Sequence, residues 1–217
     1  MSTTARRQTL QACLACIPAG LLAQSPASET LPFTAVIPEE LPPATRAEAQ
    51  RWLARSARVV TAYLGRFPAP HALVTLVAGA GSGVRSGFTF NSPLPGIRVV
   101  VGVNTSREQF LADWIMVHEM AHLAISQLPR RHNWFHEGAA TYVEIISRAR
   151  DGLTSSAFAW DQLMRNLHQG LPLPGEAGMD GTQRWGRLYW GGALFCLLAD
   201  LDIRRRTDNR LGLQQAL

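Results

Sequence analysis

A chain of 217 residues is long enough for one domain, with or without an export segment, and it can bury a sizeable core. All 21 basic residues are arginine, and the net charge of +5 is modest. The one basic run, Arg204-Arg205-Arg206, reads as a solvated helix end with no nucleic-acid module beside it, so nucleic acid is set aside as a partner.

The first residues read as an address. Arg6 and Arg7 sit in an acid-free start, "LQACLACIPAGLLA" is apolar, and "QSPASET" offers small residues for cleavage. That order predicts a signal peptide over residues 1–27, of the general or the twin-arginine type, and an exported, periplasmic or extracellular chain. The apolar run is too short for a comfortable membrane span, and no span is expected in the mature chain. A lipid anchor at Cys13 is a weaker alternative. Cys196 would be the one cysteine left after cleavage, and its apolar surroundings predict a small core residue.

Residues 28–44 are proline-rich and read as extended. Thr45 followed by Glu48 suggests a capping box opening a helix that stops at Gly65. "HALVTLVA", "VRSGFTF" and "IRVVVGV" read as strands, with "GAGSG" as a hairpin turn after the first. Ser106 and Gln109 form a second capping box, opening a helix expected to run to Leu128. Pro129 breaks it, and Asn133 is placed to cap the next, Trp134 to about Arg150. Further helices are expected over about 155–169 and 188–206. The order of an N-terminal helix, a small mixed sheet and a helical subdomain predicts one α+β domain over residues 28–217.

The chemistry lies in "VHEMAHLAISQLPRRHNWFHEGAATYVE", Val117 to Glu144. His118 and His122 are four apart on a helix, so both imidazoles leave one face and can reach one zinc ion. Leu111, Ile115 and Ile125 are expected to extend that face toward the core. Glu119 lies beside such an ion rather than on it, where a carboxylate can take a proton from water. For a third ligand the residues alone leave His132, His136, Glu137 and Glu144 open. Glu137 falls in the first turn of the returning helix, while His136 points about a third of a turn away and His132 sits in the connecting loop.

Two stretches carry a resemblance. "WFHEGAATYVE" resembles the W-x-x-E-G-x-A-x-x-x-E helix of the gluzincin peptidases, such as the aminopeptidase N and glycyl aminopeptidase families. "LYWGGALFCLLADLDIRRRT" resembles the Y-x-K-G-A-L helix and following D-x-x-I-R-x-x-T of the glycyl aminopeptidase family. The resemblance implies a zincin, thermolysin-like minimal catalytic domain and an exported zinc peptidase acting on peptides or proteins. It further implies zinc on His118, His122 and Glu137, Glu119 as general base, Tyr189 steadying the oxyanion, and Glu144 orienting a ligand histidine from behind. Departures accompany it. Fourteen residues separate His122 from Glu137, fewer than in either family; His136 replaces an asparagine and Gly191 a lysine. "SGFTFNSP" carries no acid where aminopeptidase N reads a free amine. The competing class is a zincin-fold binding protein that keeps zinc without cleaving, against which the intact Glu119 argues.

Overall fold

The computed structural model describes residues 31–126 and 128–217, so the signal-peptide and Cys13 expectations lie outside the described residues. The chain forms a four-stranded sheet ordered β1-β2-β4-β3, from Thr34–Val36 (β1), Leu73–Gly79 (β2), Val84–Phe90 (β3) and Gly96–Gly102 (β4). Strand β1 pairs parallel with β2 and β2 parallel with β4, while β3 runs antiparallel to β4 along the outer edge. "GAGSG" is therefore not a hairpin turn. It carries the chain from β2 to β3, which are not neighbours, with Gly81 and Gly83 at positive φ accepting hydrogen bonds from the end of β4. The hairpin lies at residues 91–95 instead, between β3 and β4.

Helix α1, Pro43–Leu64, covers one sheet face with Trp52, Leu53, Val59 and Val60, packed on Val74, Leu76, Ile97, Val99 and Val101. It starts at Pro43, which suits a first helical position where no N–H partner is needed, so Thr45 is not its cap. Thr45 Oγ1 instead donates to the Val103 carbonyl at 3.1 Å and ties the helix to the end of β4.

The helix expected from Ser106 to Leu128 is two helices. Ser106 and Gln109 cap α2, Arg107–Ala112, as a reciprocal box, but the backbone turns extended at Asp113. The Asp113 carboxylate accepts from the N–H groups of Ile115 and Met116 at 3.1 Å each, and from Trp52 Nε1 at 3.0 Å. That carboxylate starts α3, Ile115–His122, which ends at its second histidine. The break leaves Leu111 40% exposed, off the face it was expected to extend, whereas Ile125 is buried.

Helix α4, Asn133–Arg150, follows a 3₁₀ turn at Arg130–His132, which makes Asn133 its first residue and not its cap. It packs on α1, α3, α5 (Ser156–Asn166) and α6 (Gly192–Arg206). Ser155 caps α5, and a π-helical turn, Arg187–Gly191, leads into α6. Three apolar clusters result: one between α1 and the sheet, one among α3, α4 and α6, and a small one of Ile145, Ala159 and Leu163 between α4 and α5. Helix α3 joins the first two, giving Met116, Val117 and Met120 to the first and Ala121 to the second. Every residue from Met116 to His122 is buried, so the histidine pair lies at the seam. Cys196 is buried in the second cluster, and burial pushes its thiol up to about 12, as a core residue requires. Among the described residues no helix is long and apolar enough to cross a membrane.

Candidate functional site

His118 and His122 leave the buried side of α3, and α4 brings Glu137 against them from its first turn. His118 Nε2 lies 3.2 Å from His122 Nε2, and Glu137 Oε2 lies 3.3 Å and 3.5 Å from the two nitrogens. Donor atoms held at about 2.0–2.1 Å around a tetrahedral zinc are separated by roughly 3.3 Å. The three donors therefore already stand at the mutual spacing that one such ion needs, with two nitrogens and a carboxylate oxygen as the ligand chemistry zinc accepts. Burial opposes ionisation of Glu137, but its hydrogen bonds to His118 and His122 outweigh that and hold its carboxyl well below the usual range. Burial keeps His122 below an ordinary histidine, in the neutral form that a metal ligand needs. The tight fourteen-residue connection is met because α3 stops at His122 and α4 begins at Asn133.

Glu119 leaves α3 toward the sheet and is 7% exposed. Burial raises its pKa, and a hydrogen bond from Thr89 works against that rise. Thr89 Oγ1 stands 2.6 Å from Glu119 Oε2 and 2.9 Å from the Glu119 carbonyl. The strand that supplies Thr89 is β3, whose outer edge pairs with no strand among the described residues; β4, the other strand that could have offered an edge to a peptide, is enclosed by β2 and β3.

Tyr189 lies on the π-helical turn, a local widening that frequently marks functional positions, and its ring stacks on His118 with centroids 5.8 Å apart. Burial, then the neighbouring Glu137 and Glu119 charges, push its pKa up, so the phenol stays protonated and able to donate. Trp185 stacks on Tyr189 at 4.9 Å, and Trp114 meets His118 edge-on at 5.6 Å. Both tryptophans are about half exposed, at 56% and 45%, and stand as apolar walls beside the three donors.

Glu144 is 4% exposed and its carboxylate is bound by Arg148. The hydrogen bond to a ligand histidine expected of it is not made: both Nδ1 atoms, of His118 and His122, are buried without a partner among the described residues. The neighbouring guanidinium on the same helix face takes the carboxylate first. Glu144 still lies close enough for its charge to interact with His118. His136, which no role had been given, stacks flat on His122 at 4.3 Å between centroids. Burial lowers its pKa to about 4. His132 is directed elsewhere, with its Nδ1 3.1 Å from Asp180, whose carboxylate also accepts from Trp134 Nε1 at 2.7 Å.

Sequence reasoning missed Thr89, Trp114, Trp185 and Gly87, where an added Cβ would stand 2.5 Å from Glu119 Cγ, as parts of this site. Their one legible signal was a glycine inside an alternating strand, which marks a close approach.

Among solved structures, the chain is similar to an aminopeptidase N family protein from Idiomarina loihiensis. The match covers 85% of this chain and 37% of that one, with a TM-score of 0.51 at 15% identity. It is also similar to an M1 zinc metallopeptidase from Deinococcus radiodurans, over 79% of this chain and 36% of that one, with a TM-score of 0.46 at 21% identity. The first likeness is one of fold, an α+β arrangement, and the chain spans little more than a third of the matched protein's length. A scan against protein-family models gives no match, and neither does a search of curated proteins.

Proposed function

We propose that this chain is a zinc-dependent peptidase whose residues 28–217 form one gluzincin-like catalytic domain, exported behind residues 1–27. The observation that carries the reading is the meeting of His118, His122 and Glu137 at zinc spacing, with the buried Glu119 near enough for its charge to interact with His118 and Glu137. His118, His122 and Glu137 would hold a zinc ion, which when bound would supply a Lewis acid to polarise the scissile carbonyl and ease deprotonation of water.

The chain's own residues do the rest. The Glu119 carboxylate takes one proton from water as the oxygen adds to the carbonyl carbon, and passes it to the departing nitrogen as the C–N bond breaks. One water and one peptide bond become one carboxylate product and one amine. Tyr189, kept protonated, donates its O–H to the oxygen that gains charge during addition. The open edge of β3 receives an extended peptide as an added strand, and the half-exposed Trp114 and Trp185 favour apolar side chains on either side of the bond. Phe88, Thr89 and Phe90 on β3 offer no carboxylate to hold a free amine, which favours cleavage within a chain over release of its first residue.

Digestion of an unfolded protein tests the reading. Cleavage should proceed with the zinc-loaded chain, stop with chelator and return when zinc is restored. Intact substrate in all three conditions, from protein that carries zinc, would support the non-catalytic alternative.

A further inference from the structure

Glu119 is buried at the end of three rotatable bonds, and a base must present one oxygen to water repeatedly. Among the described residues its carboxylate takes a side-chain hydrogen bond from one donor, Thr89. A hydroxyl has a single proton to give, and the carboxylate oxygen at 2.6 Å is nearer and more strongly charged than the Glu119 carbonyl at 2.9 Å. Two residues earlier on β3, Gly87 lies under the same side chain. A Cβ there would stand 2.5 Å from Glu119 Cγ, 2.7 Å from Oε1 and 2.8 Å from Cδ, closer than atoms pack. Register explains why both positions face inward: Gly87 pairs with Val99 and Thr89 with Ile97, the two β4 residues buried against the helices.

We propose that strand β3 positions the general base, with Thr89 holding Oε2 of Glu119 and the missing side chain of Gly87 leaving the space that the Glu119 side chain itself occupies. Thr89 is a positioning residue and Gly87 a clearance; neither touches the reacting atoms. The inference rests on the peptidase reading and deepens it. The strand whose free edge receives the peptide backbone also fixes the base, so one rigid element sets both substrate register and base placement.

Three variants of the full, zinc-loaded chain test this: Thr89→Val, which keeps shape and removes the hydroxyl, Thr89→Ser, which keeps the hydroxyl, and Gly87→Ala. Turnover of an internally quenched peptide is measured with bound zinc per chain. Thr89→Val should lower kcat about 10- to 100-fold, with KM within about twofold and zinc content unchanged. Thr89→Ser should stay within about threefold of the parent kcat, and Gly87→Ala should fall at least as far as Thr89→Val. A Thr89→Val enzyme with undiminished kcat, or a Thr89→Ser enzyme as slow as Thr89→Val, overturns the proposal. If Gly87→Ala fails to fold, the threonine pair decides alone. If the parent itself shows no turnover, the peptidase reading fails, and crystal structures of the parent and Thr89→Val decide this one. A Glu119 carboxylate displaced or spread over several rotamers in the variant supports it, and an unmoved one overturns it.

Discussion

Each residue at the seam between the two larger apolar clusters has a distinct demand on it, and the demands differ in how visibly they are written. His118 and His122 are legible from spacing alone, because a turn of helix puts i and i+4 on one face wherever the helix lies. Glu137 is not, since four residues competed for the third position. It is the arrival of α4 beside the end of α3 that selects the glutamate. Thr89 and Gly87 were illegible for a deeper reason: their relation to Glu119 depends on which strand lies at the edge and in what register, and both are long-range facts. Two expectations belong at this scale. Glu137→Ala removes one of three donors and should weaken zinc binding by at least about 100-fold, read by competition with a fluorescent chelator. If Tyr189 serves the oxyanion as proposed, Tyr189→Phe should lower kcat about 100-fold with KM little changed, read by steady-state kinetics. An unaltered kcat would reduce Tyr189 to the helix-start aromatic that spacing alone suggests.

Elements were legible where periodicity was strong and local chemistry agreed with it. The α4, α5 and α6 helices fall within a few residues of expectation, and the capping box at Ser106 is present as read. The single helix expected between Ser106 and Leu128 failed at Asp113, where a buried carboxylate takes two backbone N–H groups and restarts the helix in a new direction. An aspartate inside an apolar-periodic stretch competes with the ladder in this way, and the periodicity on either side conceals it. The motif glycines also acquire a reason. Gly138 of α4 and Gly192 of α6 pass so close that a Cβ on Gly138 would fall 2.2 Å from Gly192 Cα. Gly138→Ala should therefore separate the two helices and cost about 2–3 kcal/mol, measured by urea unfolding.

The C-terminal turn is held by Asp200, which accepts from Tyr142 at 2.7 Å, Arg204 at 2.9 Å and the Leu213 N–H at 2.6 Å. This gives the D-x-x-I-R-x-x-T resemblance a structural meaning: Asp200 and Arg204 face each other one turn apart, and Thr207 closes the helix on the Ile203 carbonyl. Burial works against the charge of Asp200, but these hydrogen bonds win and leave its pKa below an ordinary carboxylate. A depressed carboxyl contributes stability that is complete above the unfolded pKa of about 3.9 and is lost as pH falls through the lower folded value. Asp200→Asn should be less stable than the parent at neutral pH, by roughly 2 kcal/mol, and the gap should narrow below about pH 4. Parallel thermal melts across that range check the sign.

At the scale of the whole molecule, α3 is buried along its length and joins the cluster under the sheet to the cluster among the helices. An ion bound by His118 and His122 from α3 and by Glu137 from α4 would therefore tie together elements of both clusters. Zinc at about 100 times its dissociation constant should add about 2.7 kcal/mol, or roughly 5–10 °C in melting temperature for a domain of this size. The α+β class and the order of helix, sheet and then helices were legible because each element declared its own period, although β1, short and ahead of α1, read only as an extended stretch. Strand order was not, because nothing local says that β4 inserts between β2 and β3. The most direct measurement of the central claim compares the parent with Glu119→Gln, both assayed for bound zinc and for hydrolysis of an internally quenched peptide. Both proteins should carry about one zinc per chain, with turnover in the parent and a loss of at least about 1,000-fold in the variant. Undiminished hydrolysis by Glu119→Gln, or a parent that binds no zinc, would contradict it.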